Sequence, residues 1–312
     1  MNEIDKPIFI VGIRRSGSTL WRRIFEKNDE VAVYGEMQFL WPWEKDFPFF
    51  IRKYVRDLSN DKNIIKMIDS IFSNNPPRIR LMNLRWSFWE FLRKVNDDKL
   101  KKAIIARINK SDRSVENIFK AFIEETTKYL GFKRCIVKFP MYFNHINTLL
   151  SWYPNSKIIH ITRDPRAISL SKKNDSGGTA RLKLKYPYFS NILEKIMILF
   201  VIFQYNWSAR IHIKFKNNEN YALFQYEDLL LNPKKTISKL CDFTGLKYSN
   251  EMLNPSEGRF SSIDGKSRKG IEKKLGYQWK KNISPFEMKF ITFFTKKSMK
   301  KMKYDGSSHD IF

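Results

Sequence analysis

Cysteine is almost missing from this 312-residue chain: Cys135 and Cys241 are the only two. A pair so far apart makes neither a disulfide scaffold nor a cysteine-based zinc site, and it suits a reducing compartment. Histidine is nearly as scarce. His145, His160, His212 and His309 show no metal-ligand spacing, so no metal is expected. Glycine and proline, 12 of each, are too few for a collagenous or low-complexity chain. Long apolar runs are lacking too. The longest, Ile196 to Phe203, has eight residues between Glu194-Lys195 and Gln204, against the roughly 20 that a membrane span requires. It reads as a buried helix segment, and no membrane-spanning helix is expected. The opening residues, Met1 to Lys6, contain no apolar signal stretch, so a cytoplasmic location is expected. Carboxylates are the last shortage: 32 Asp and Glu face 58 Lys and Arg, a net charge of +26.

What is present is a globular composition, 42% hydrophobic and 15% aromatic. That is enough to bury a substantial core, and residues 1–312 read as a single domain. The positive surplus would attract polyanions: nucleic acid, an anionic membrane surface, or phosphorylated and sulfated small molecules. It also fits compositional drift, since Lys, Asn and Ile are abundant together. A nucleic-acid-binding protein is the weakest of these readings. The charge is scattered, and no helix-turn-helix, zinc or ribonucleoprotein motif accompanies it.

Short apolar runs alternate with helical spacing. Pro7–Gly12 reads as a buried strand, followed by a glycine-bearing turn and a helix through Leu20, Ile24 and Phe25. Further strands are expected at Val31–Tyr34, Arg134–Lys138, Lys157–Thr162 and Tyr221–Tyr226, with a helix over Lys234–Phe243 stopped by Gly245. Between 37 and 130 the pattern turns helical, with a capped helix beginning at Ser114. Trp41, Trp43, Phe47, Phe49 and Phe50 crowd into this stretch, either as lid core or as a sugar platform. The expected fold is α/β: a P-loop-type open, mostly parallel sheet flanked by helices, with a helical insertion at 37–130.

The first chemical signal is the segment from Gly12 through Ile13, Arg14, Arg15, Ser16, Gly17 and Ser18 to Thr19. It fits the phosphate-loop template G-x4-G-K-[ST] except that Ser18 stands where lysine belongs. Backbone amides of such a turn, with the helix start it feeds, cradle a phosphate. The missing lysine weakens the alternative of a nucleotide kinase or NTPase, because γ-phosphoryl transfer relies on that charge and on Mg²⁺. Arg14 and Arg15 bring positive charge to the front of the loop instead.

Arg15-Ser-Gly-Ser-Thr-Leu20 resembles the 5′-phosphosulfate loop of the sulfotransferases that use 3′-phosphoadenosine-5′-phosphosulfate (PAPS), and it does so without a gap. The block Ser156 to Ser171, with Arg163 ending a strand and Ser171 eight residues on, is similar to the family's 3′-phosphate motif. Val137-Lys138-Phe-Pro140, Gln225-Tyr226-Glu-Asp-Leu229 and Leu275 to Ser284 resemble three later family segments in the right order. The likeness runs from residue 8 to about 290 and is poorest over 37–130. It is to the bacterial and Golgi-type carbohydrate and tyrosyl-protein branches. The cytosolic phenol and steroid branch carries a catalytic histidine where this chain has Pro140.

The resemblance implies sulfuryl transfer from PAPS to a hydroxyl of a glycan, glycolipid or similar acceptor, leaving 3′,5′-ADP. It assigns donor binding to Arg14, Arg15, Ser16, Gly17, Ser18, Thr19, Arg163 and Ser171, and charge stabilisation to Arg15 and Lys138. Glu36, matching the place of the tyrosyl-protein branch's glutamate, is read as the base, or else as a helix N-terminal carboxylate. Ser267, Arg268 and Lys269 are candidates to contact or cover the nucleotide. Tyr226 and Trp279 are candidates to flank the adenosine, and each also reads as core. The turn Arg163-Asp-Pro-Arg166 can pair with itself, Asp164 capping the helix, while Arg163 still faces a ligand. The insertion is expected to form an acceptor-side lid. His145 and His160 read as structural.

Overall fold

The computed structural model describes residues 4, 6–37, 39–40, 56–73, 87–175, 183–255 and 270–304. Five strands form one parallel sheet: β1 (Ile8–Gly12), β2 (Val31–Tyr34), β3 (Arg134–Lys138), β4 (Lys157–Thr162) and β5 (Tyr221–Gln225), in the order β2-β3-β1-β4-β5. All five residues of β1 and of β3 are buried. Continuous apolar runs with no polar face are what strands covered on both sides require. This is the open α/β sheet expected from the sequence. The last strand ends one residue early, because Tyr226 opens a helix. The chain leaves β1 toward β2 and leaves β4 toward β5. The carboxyl ends of β1 and β4 therefore flank the point where strand order reverses, which is where open α/β sheets bind ligands. Helix α1 (Ser18–Phe25) follows β1 directly.

The chain divides into two compact units, Met1–Ile10 with Asp29–Ile158, and Val11–Asn28 with Ile159–Phe312. In the first unit β3 pairs on one side with β2, Tyr34 opposite Val137, and on the other with β1, Ile10 opposite Lys138. Every regular element described between β2 and β3 is helical: α2 (Asp61–Phe72), α3 (Ser87–Val95), α4 (Asp98–Asn109) and α5 (Val115–Tyr129). Their starts have local causes. Asn60, Asp97 and Ser114 each accept a hydrogen bond from a first-turn amide that the helix itself leaves without a partner. Phe119 of α5 anchors the core, its ring 4.9 Å from Phe39 and 5.2 Å from Trp152 of α6 (Ile146–Trp152). Burying such a ring contributes about 2–3 kcal/mol. Glu124, also on α5, is buried and held by Arg107 at 2.5 Å and the Tyr153 hydroxyl at 3.0 Å. Trp41, Trp43, Phe47, Phe49 and Phe50 lie outside the described residues.

The second unit holds α7 (Pro165–Lys173), α8 (Ser190–Phe215), α9 (Tyr226–Leu231), α10 (Pro233–Thr244) and α11 (Pro285–Lys301). Gly245 ends α10 in the left-handed conformation, φ 69°, as its position predicted. His160 is fully buried, bonded to the Tyr221 hydroxyl at 2.6 Å and to Ser208 at 2.8 Å. Burial, then the neighbouring His212, pushes its pKa down to about 3. It is a neutral core histidine.

Helix α8 corrects the reading of Ile196–Phe203 as buried. Met197, Ile198, Val201 and Ile202 are inside, but Ile196, Leu199, Phe200 and Phe203 are exposed. An eight-residue apolar run covers more than two helical turns and so faces every direction. Only one side of α8 packs, in a cluster with Ile168 of α7 and with Ile291 and Met299 of α11. The helical stretch Pro187–Phe215 is also long and apolar enough to cross a membrane by length and composition, with a third of its most apolar window buried in the fold. The continuous-run criterion missed this because Gln204, Asn206 and Ser208 interrupt the sequence.

Candidate active site

In the second unit the loop after β1 is shaped by two backbone constraints. Gly12 sits at φ 147°, where a Cβ would lie 2.3 Å from the Ile161 carbonyl oxygen of β4. Gly17 sits at φ 91°, where a Cβ would fall 2.2 Å from Cδ2 of Tyr226. Neither position accepts another residue without displacing backbone or a packed ring. Between them the Ser16 amide donates to the Ile13 carbonyl at 3.1 Å, and Arg15 takes a left-handed φ of 78°. The result is a tight anion-type turn running into the N-terminus of α1, with Ser16 and Ser18 buried and Arg14 and Thr19 exposed.

Arg15 Nε donates to Ser171 Oγ at 3.0 Å, and its Nη1 lies 3.9 Å from Asp175. Arg163, at the end of β4, reaches the Arg15 carbonyl at 3.5 Å and the Leu275 carbonyl at 3.3 Å. The Arg163 guanidinium also stacks 4.6 Å over the Tyr226 ring. Arg15, named from one sequence block, and Arg163 and Ser171, named from another, are thus brought together. Arg163 is only 7% exposed and its Nε has no hydrogen-bond partner among the described residues; neither has the buried Ser16 Oγ. A buried guanidinium that stacks on Tyr226, makes only long hydrogen bonds to neutral carbonyls and leaves its Nε unpartnered among the described residues fits a site for an anionic group.

The adjoining turn pairs with itself as the sequence allowed. Asp164 accepts from the Arg166 amide at 2.8 Å, capping α7, and binds the Arg166 side chain at 2.7 Å. The Asp164 cap is present, and because Arg163 points elsewhere it stays compatible with the ligand reading. Tyr226 is buried beneath the loop between Gly17 and Arg163. Trp279 is 3% exposed, packed on Ala167 and Leu170 with Arg166 4.6 Å over its ring. Ser267, Arg268 and Lys269 lie outside the described residues.

Two participants escaped the sequence reading. Lys172, beside Ser171, bonds Gln204 at 2.5 Å, and its pKa is pushed down to about 7 by burial and by the charges of Arg14 and Arg15. Glu227 is fully buried, accepting from the Asp164 amide at 3.0 Å and from the Tyr304 hydroxyl at 2.6 Å. Burial and the neighbouring Asp164 push its pKa up to about 7. It holds the backbone of the turn that presents Arg163. Adjacency to Ser171 and to Tyr226 was the only available signal for either residue.

In the first unit the strand register sets the position of two more of the candidate residues. Tyr34 pairs with Val137, so residues just beyond β2 and β3 emerge side by side. Lys138, buried at the end of β3, forms an ion pair with Glu36, which is more exposed. The loop carrying Glu36 is held by the Tyr142 hydroxyl, which donates to the Met37 carbonyl at 2.6 Å. Pro140 starts a 3-10 turn over Pro140–His145, leaving no imidazole at that place on the strand end. In the Glu36–Lys138 pair the carboxylate can accept a proton and the ammonium can stabilise negative charge that develops beside it.

Solved structures share this architecture. The sulfotransferase domain of the Synechococcus PCC 7002 olefin synthase is similar with a TM-score of 0.58 at 17% identity, over 98% of this chain and 97% of that one. The sulfotransferase domain from the curacin biosynthetic pathway gives 0.56 at 18%, over 96% and 98%. At such identities these likenesses establish the fold. No curated protein matches. The sulfotransferase family model, however, aligns with residues 7–250, from the start of β1 through the phosphate loop, the Lys138 strand end and the Arg163 turn to beyond α10, and the chain therefore belongs to the sulfotransferase family of sulfuryl-transferring enzymes.

Proposed function

We propose that this sulfotransferase takes its sulfuryl group from PAPS and places it on a hydroxyl of a glycan, glycolipid or similar acceptor. The observation that carries the donor assignment is the cluster of half-buried Arg15 with buried Ser171 and Arg163, Arg163 Nε having no hydrogen-bond partner among the described residues. In this reading the 5′-phosphosulfate lies on the amides of residues 16–19. The 3′-phosphate engages Arg163 and Ser171, with Lys172 adding charge. Arg14 faces the donor from the exposed side of the turn. Ser267, Arg268 and Lys269 are assigned to the nucleotide through the family likeness alone.

The acceptor oxygen attacks sulfur in line as the bond from sulfur to the 5′-phosphate oxygen breaks. The hydroxyl proton passes to a Glu36 carboxylate oxygen, and the electron pair of the broken bond stays on the departing 3′,5′-ADP. Arg15 and Lys138 stabilise charge where it develops on the bridging oxygen and sulfuryl group, which is where fixed cations contribute most to rate. The helices between 37 and 130 are assigned to the acceptor side. Ser18 in place of the loop lysine, together with the family match, leaves the kinase reading without support.

Calorimetric titration with 3′,5′-ADP, ADP and ATP-Mg²⁺ tests the donor assignment. Tight, metal-independent binding of 3′,5′-ADP with weak binding of ADP is expected. Preference for ATP-Mg²⁺ would overturn it. A screen of hydroxyl acceptors with PAPS then tests the acceptor class, and sulfation confined to amines or non-sugar alcohols would replace it.

A further inference from the structure

Helix α8 carries large apolar residues on its solvent side as well as on its packed side. Ile192, Ile196, Leu199 and Phe203 are each more than half exposed, and their spacing of four, three and four residues puts them on a single outward stripe. Helix α11 continues it with Phe286, 74% exposed, and Phe293, 78%. The two helices are joined side by side. Asn206 donates to the Phe294 carbonyl at 3.1 Å and accepts from Ser298 at 2.5 Å. Tyr188, ahead of α8, is 98% exposed. A soluble surface scatters such residues singly, whereas along α8 they recur as a stripe at helical spacing, the mark of an interaction face.

The charges around this face have one sign. Between Pro187 and Phe215, and along α11, the only acidic residues are Glu194 and Glu287, and both pair with Lys173 of α7, at 2.7 and 3.4 Å. The rest are basic and exposed: Lys195, Arg210 and Lys214 on α8, and Lys289, Lys296, Lys297, Lys300 and Lys301 on α11. At helical angles, Lys289, Lys297 and Lys300 share the side of Phe286 and Phe293.

We propose that α8 and α11 dock this face onto an anionic lipid bilayer, lying in the interface with Phe and Ile side chains among the acyl chains and the lysines at headgroup phosphates. Large apolar residues interleaved with cations are the composition of interfacial helices, and juxtaposed lysines gain from the negative surface potential of such a membrane. Charge also discriminates between occupants. A second copy meeting the same face across a two-fold would set lysines against lysines. The packed inner face of α8 favours lying on the bilayer over crossing it. The inference does not depend on which acceptor the enzyme uses.

Sedimentation of the full chain with vesicles of phosphatidylcholine, with and without phosphatidylglycerol, tests it. Binding to the anionic vesicles only, weakening as salt rises, is expected. The variants F286S/F293S and K289E/K296E/K297E should each lower partitioning by roughly tenfold or more, while melting temperature and 3′,5′-ADP affinity stay at wild-type values. The proposal is overturned if the wild type ignores anionic vesicles at low salt, or if folded variants bind as well as it does. It is equally overturned if F286S/F293S abolishes a concentration-dependent dimer and leaves vesicle binding intact.

Discussion

Arg15 and Ser171 stand 156 positions apart in the chain, yet the Nε of one donates to the Oγ of the other at 3.0 Å. That bond ties the loop after β1 to the helix after β4, and Arg163 closes the group by reaching the Arg15 carbonyl. In the proposed reading both arginines serve the donor, Arg15 at the phosphosulfate and Arg163 at the 3′-phosphate.

Their substitutions should therefore separate. Arg163→Ala is expected to weaken 3′,5′-ADP binding by roughly ten- to a hundredfold, the loss of one or two charge-assisted hydrogen bonds, with a smaller effect on kcat. Arg15→Ala and Lys138→Ala should cut kcat strongly with a modest loss of product-nucleotide affinity. Calorimetry beside initial rates checks the split, and equal effects on binding alone at all three positions would remove it.

Glu36→Gln keeps the size of the side chain and a contact for Lys138 but cannot take the acceptor proton. A fall in kcat of about 10²–10⁴ is expected, with 3′,5′-ADP affinity unchanged. A variant that turns over normally would return Glu36 to a structural role.

Lys172 titrates near pH 7 because it is buried beside Arg14 and Arg15. A bound anion favours its charged form, so 3′,5′-ADP binding should take up protons around neutrality and weaken as pH rises above about 7. Titrations in buffers of different ionisation enthalpy read the uptake directly. Lys172→Met should abolish it, and an uptake that persists in the variant would assign the proton elsewhere.

Glu227 makes the opposite kind of statement, about stability. Its carboxyl pKa is raised from 4.5 to about 7, mainly by burial. Between those values the native chain keeps a proton that the unfolded chain has released. Rising pH therefore disfavours folding through this group, by up to about 3 kcal/mol across the window. The contribution is complete below about pH 4.5 and gone above about 7. Glu227→Gln should flatten the fall in Tm over that range, its amide oxygen still accepting from the Asp164 amide while its NH₂ donates to the Tyr304 hydroxyl oxygen. An unchanged slope would show the group is not the source.

Much of this protein is written locally. Ile8–Gly12, Arg134–Lys138 and Lys157–Thr162 are apolar runs that read as buried strands on their own, and Asn60, Asp97 and Ser114 cap helices through neighbours two or three residues away. The turn after β1 is legible for the same reason, since its glycines and arginines lie within eight positions of one another. What the tertiary structure alone decided are the partnerships across chain distance. The strand order brought Arg163 to the Arg15 loop, and the register of β2 on β3 set Glu36 against Lys138. Burial then created the altered acidities of Lys172 and Glu227, which no residue type announces. The apolar run in α8 was visible in the sequence; which half of it faces solvent was decided by the helices that cover the other half.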